Sequence, residues 1–98
     1  MATPESKVKA KIKKILDEVG AWYFMPIGGP YARAGIPDFV GCLNGRLFAI
    51  EAKAGKGKTT ALQDREIEKI KASGGFAIVV NENNLAELKS LLTVLSGS

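Results

Sequence analysis

Apolar residues recur at helical spacing near the start of the chain. Val8, Ile12, Ile15, Leu16 and Val19 form one stripe, and Lys7, Lys11 and Lys14 lie mostly off it. With Thr3 as cap, Pro4 in the first turn and Gly20 as stop, the pattern predicts a helix over residues 4–19. A short aromatic strand follows over 21–25 and ends at Pro26. Residues 27–35 hold Gly28, Gly29, Pro30 and Gly35 and read as a loop. Residues 36–43 and 46–54 read as strands joined by Asn44-Gly45, the strongest short hairpin signal. A basic glycine loop spans 55–58. Thr60 and Gln63 fit a capping box that opens a helix running to Ser73, before Gly74-Gly75. Phe76 to Val80 is an apolar run, expected as a strand buried on both faces. Asn83 or Asn84 caps a last helix that carries Leu85, Leu88, Leu91, Leu92 and Leu95 on one side. The tail Ser96-Gly97-Ser98 reads as loose.

The predicted order is α-β-β-β-α-β-α, an α/β fold with a mixed sheet flanked by helices. The first three strands form an antiparallel meander. The helix over 60–73 is long enough to cross over and lay the fourth strand parallel to the third. Ninety-eight residues suit a single domain over 1–98. No apolar run reaches the roughly 20 residues a membrane helix needs, and no signal-peptide pattern is visible at the start. One cysteine, Cys42, cannot form an internal disulfide, which fits an intracellular protein. The absence of His excludes histidine triads and imidazole proton shuttles. The net charge of +4 favours a polyanionic partner without establishing one.

The hairpin carries the chemical signal. With Asn44-Gly45 as the turn, Leu43 faces Arg46, and opposed residue numbers sum to 89, as 43 and 46 do. Asp38 then lies opposite Glu51, and alternation puts Lys53 on the face of Glu51. Opposed Cβ atoms sit about 4.5–5.5 Å apart, so like charges there destabilise a sheet. Ile36, Val40, Cys42, Leu47 and Ala49 share that face and read as core. A hard divalent cation offsets the repulsion of two carboxylates, and Lys53 offsets part of it. Glu5 and Gln63 each precede inward-facing helix positions and can converge on the same patch. Each residue also has a plainer reading. Glu5 complements a helix dipole, Gln63 closes the capping box, Asp38 is a turn residue after Pro37, and Glu51 and Lys53 form a solvated ion pair. Taken together, the plain readings leave an uncompensated Asp–Glu pair in an apolar strand region. A one-residue slip of the hairpin would separate the pair.

Gly35-Ile36-Pro37-Asp38, Glu51-Ala52-Lys53 after a hairpin, an early helical Glu and a Gln opening the next helix resemble the virus-type replication-repair nuclease domain of the PD-(D/E)xK superfamily. The resemblance spans about residues 5–80. It implies a restriction-endonuclease-like α-β-β-β-α-β core, here followed by a C-terminal helix. It implies that Asp38, Glu51 and the Ala52 carbonyl ligate Mg²⁺ or Mn²⁺, with Glu5 as a further ligand. Lys53 positions or helps activate the attacking water, and Gln63 supports the site. The implied activity is metal-dependent hydrolysis of DNA phosphodiesters, on branched or four-way-junction DNA and by a homodimer. A monomeric nuclease of flaps or nicks, and a non-catalytic DNA-binding module, are the alternatives.

Tyr31 and Arg33 precede Asp38 on the glycine-rich loop and can contact a phosphate or an unpaired base. Lys56 and Lys58 flank the other side, where solubility is their plainer role. Lys9 and Lys13 read as solvated helix charges. Trp22, Tyr23 and Phe24 fit a core or subunit interface better than a DNA wedge. The last helix carries more leucine than one small sheet obviously covers, so part of its stripe is available for a two-fold contact.

Overall fold

Thr3 starts the first helix, α1 (Pro4–Val19), in extended conformation, with its Oγ1 accepting from the Ser6 N–H at 3.1 Å. Gly20 ends the helix in the left-handed region at φ 74°, where its N–H reaches the Asp17 and Leu16 carbonyls. The computed structural model describes residues 2–97. The remaining elements are β1 (Trp22–Phe24), β2 (Phe39–Leu43), β3 (Arg46–Ala52), α2 (Ala61–Ala72), β4 (Phe76–Val80) and α3 (Leu85–Leu95). They form an α/β fold in which a four-stranded mixed sheet of order β1-β2-β3-β4 is flanked by three helices. Among the described residues, no helix is long and apolar enough to cross a membrane.

The hairpin follows its turn chemistry. Asn44 and Gly45 both take positive φ, 53° and 76°, as a two-residue primed turn requires. The register runs from Leu43↔Arg46 to Phe39↔Ile50 without a slip. Arg46 donates to the Val94 and Leu95 carbonyls and so ties the hairpin tip to the C-terminal end of α3. The capping box of α2 is complete: Gln63 N–H donates to Thr60 Oγ1, and Gln63 Oε1 accepts from Thr60 N–H. β4 runs parallel to β3 in the register Glu51↔Val79.

The two faces of the sheet are unequally covered. One carries Phe39, Phe48, Ile50, Ala52 and Val80, which are buried with Val8, Ile12, Ile15 and Leu16 of α1 and Leu88, Leu92 and Leu95 of α3. The other carries Ala49 and Glu51 and is covered in part by α2, whose Ile70 lies beside Gly75 with Leu47. This corrects the expectation that Val40, Cys42 and Leu47 are core. Val40 is half-buried, while Cys42 and Leu47 are exposed. β2 is also shorter than expected, because residues 36–38 lie outside the ladder.

Four further expectations change. β4 is an edge strand, mostly half-buried rather than covered on both faces, because the crossover places it outside β3 with no strand beyond among the described residues. Asn84 stands at the start of α3 but makes no capping bond. Its Oδ1 accepts from Asn81 N–H and its Nδ2 donates to the Val79 carbonyl, bracing the turn after β4. The leucine stripe of α3 is spent on the core, leaving Val94 exposed. The open apolar surface lies instead on the α2 side of the sheet. There the register places Trp22 beside Cys42 and Phe24 beside Val40, with Leu47 next to them. Of the expected tail, Ser96 and Gly97 make backbone bonds to Leu92 and Val94, and Ser98 lies outside the described residues.

Candidate active site

Pro37 lacks a backbone N–H, and the chain joins the ladder only at Phe39. Asp38 therefore stands at the mouth of the β2–β3 ladder, and its side chain continues it. Asp38 Oδ2 accepts from the Ala52 N–H at 2.8 Å. The backbone edge of Ala52, whose carbonyl belongs to the ligand set implied by the resemblance, is thus turned toward the Asp38 carboxylate.

Glu51 lies opposite and is only 3% exposed. Its Oε2 accepts from Gln63 Nε2 at 3.2 Å and lies 3.6 Å from Lys53 Nζ. Its Oε1 is buried and has no hydrogen-bond partner among the described residues. Burial, followed by the facing Asp38 carboxylate, pushes the Glu51 carboxyl from 4.5 up to about 7, and Lys53 opposes the rise. The capping box thus serves a second purpose. By fixing Gln63 at the helix start, it aims the Gln63 amide at Glu51.

Lys9 completes the cluster. Its Nζ is 3.5 Å from Glu5 Oε2 and 3.5 Å from Asp38 Oδ1. Burial works to lower its affinity for the proton, but the charges of Asp38 and Glu5 outweigh this and hold the ammonium above its ordinary range. Lys9 is therefore not the solvated helix charge expected. The i,i+4 spacing of Glu5 and Lys9 was the available signal, and the approach of Asp38 needed the fold. Glu5 reaches the site through Lys9.

Among the described residues, no three His, Cys, Asp or Glu side chains converge as a ligand cage by themselves. The oxygen donors brought together are two carboxylates, Asp38 and Glu51, with the backbone of Ala52 beside them. Three carboxylates against two ammoniums leave one negative charge when all are ionised. A buried orphan oxygen, a carboxylate pair and residual negative charge match the hard-oxygen chemistry of Mg²⁺ or Mn²⁺. These residues fit such an ion.

The basic and aromatic candidates are placed differently. Tyr31 is fully exposed on the glycine-rich loop. The Arg33 guanidinium is engaged by Glu66 of α2, with Nε 3.0 Å from Oε1 and Nη2 3.2 Å from Oε2. This fork ties the loop to α2 and gives Arg33 a structural role. Gly35, at φ 82°, lies so close to the Leu62 carbonyl that a Cβ there would stand 2.5 Å from its oxygen. Between loop and sheet, a cleft lined by Pro26, Ile27, Arg33, Ile36 and Pro37 opens onto Asp38. Lys56 and Lys58 are exposed on the far loop, which is braced by the Gly55 N–H donating to Glu82 at 2.7 Å. Lys13 is exposed on α1. No protein-family model and no curated protein matches the chain.

Proposed function

We propose that the protein is a metal-dependent DNA endonuclease of the PD-(D/E)xK type, similar to virus-type replication-repair nuclease domains, and that it acts on branched DNA as a homodimer. The observation that carries this reading is the orphan Glu51 Oε1, buried opposite Asp38 and flanked by Lys53. A solvated surface ion pair gives no reason to bury one carboxyl group against another, and neither does a non-catalytic DNA-binding module.

Asp38, Glu51 and the Ala52 carbonyl would hold Mg²⁺ or Mn²⁺, with Glu5 in support. Bound there, the ion supplies a more acidic water and positive charge against the phosphate oxygens. Lys53 stands beside Glu51 and positions the attacking water or the scissile phosphate. Gln63 keeps the Glu51 carboxylate in place. Tyr31, Lys56 and Lys58 stand on loops either side of the site, exposed to a nucleic-acid backbone or an unpaired base. The open sheet face of Trp22, Phe24, Val40, Cys42 and Leu47 is the dimer surface in this reading. A two-fold pair of sites suits paired incisions across a four-way junction.

The test is incubation of purified protein with linear, flap and four-way-junction DNA in Mg²⁺, Mn²⁺ or EDTA. Cleavage with metal, none in EDTA and a preference for the junction are expected. Asp38→Asn and Lys53→Ala should each abolish cleavage while leaving the circular dichroism spectrum unchanged. Retained activity in both variants would sink the assignment. Preference for flaps or nicks would replace the junction reading by the monomeric one.

A further inference from the structure

The clustering of Lys9 with two of the proposed metal-binding carboxylates has a chemical consequence, which rests on the metal-binding reading above. The Lys9 ammonium stands at 3.5 Å from both Glu5 and Asp38, whereas Lys53 pairs with Glu51. Its stem rises from the flank of the buried stripe of α1, one turn after Glu5, and the half-buried side chain carries its head to the sheet mouth. A cation so placed neutralises the carboxylates a divalent ion would use. We infer that Lys9 is a displaceable counter-cation: it holds Glu5 and Asp38 together without metal, and a divalent ion takes over those carboxylates as Lys9 swings out. Four rotatable side-chain bonds and compact charge suit lysine to that exchange, and once released the ammonium lies at the site rim, toward DNA phosphates. Lys9 is thus a positioning residue that sets how tightly the site binds its ion.

Thermal unfolding and calorimetric titration with Mn²⁺, without DNA, test this on wild type, Lys9→Met and Lys9→Arg. Met keeps the stem and the helix propensity, so the variant should fold. In EDTA, Lys9→Met should melt several degrees below wild type, while the Mn²⁺-saturated melting temperatures should coincide. Its Mn²⁺ dissociation constant should fall about tenfold, the change that two partly exposed ion pairs represent. Lys9→Arg should restore the EDTA melting temperature. An equal drop with and without Mn²⁺ would show that Lys9 only braces the fold and would overturn the inference. Unchanged or weaker Mn²⁺ binding by Lys9→Met would do the same while leaving the metal site standing. A wild-type protein that binds no Mn²⁺ would overturn the metal reading itself.

Discussion

Glu51 should make the metal-free protein less stable as the pH rises, and Glu51→Gln should remove that loss. Its carboxyl is raised from 4.5 to about 7 by burial and by Asp38. Between those values the folded protein holds a proton that the unfolded chain has released. Stability therefore falls with pH: the contribution is fully present below pH 4.5 and lost as the pH rises through 7. The separation corresponds to about 3 kcal/mol. For a domain of this size that is on the order of 10–20 °C in melting temperature. Urea unfolding in EDTA, followed by far-ultraviolet circular dichroism from about pH 4.5 to 8, is the assay, since Trp22 is 65% exposed and a weak fluorescence reporter. The variant need not match wild type at any one pH, because the substituted amide packs differently and leaves Lys53 without its ionic partner. The diagnostic quantity is the stability of the variant minus that of wild type. It should climb by about 2–3 kcal/mol across the range and then level off. Groups that do not touch Glu51 cancel in the difference. A difference that stays within about 1 kcal/mol over the whole range would refute the burial of Glu51 against Asp38.

Light scattering across a concentration series should show a species of twice the 10.4 kDa chain, and Trp22→Ser combined with Leu47→Ser should return it to monomer with little change in helix content. Only the monomer at every concentration would remove the dimer, and with it the basis for symmetric junction cleavage. Gly41→Ala should destabilise the fold by about 1–3 kcal/mol, because the added Cβ would overlap the Trp22 carbonyl, the Phe48 ring and the Tyr23 side chain at once. A melting temperature equal to wild type would show that β1 and β3 yield around β2 more easily than their contacts suggest.

Asp38 and Glu51 face each other for a reason written locally. Asn44-Gly45 is a two-residue turn, the turn sets the register, and the register sets the parity of every side chain along both strands. The capping box at Thr60 is equally local, and so are the bounds of α1 and β4. Parity does not say which face is the better covered. Leu47 and Ala49 on one face and Phe48 and Ile50 on the other are apolar alike, so the choice rested on where α1 and α3 pack. That packing consumed the leucines of α3 and left Trp22, Phe24 and Leu47 open. The same limit hid the partners of the long cations. Lys9 meets Asp38, and Arg33 meets Glu66, across separations in sequence at which neither spacing nor hydrophobic period carries information. A flexible, charged side chain reaches whatever the fold brings within several ångströms of its backbone. The carboxylate pair could therefore be read from the chain, whereas the ammonium that closes it required the helix to be docked on the sheet.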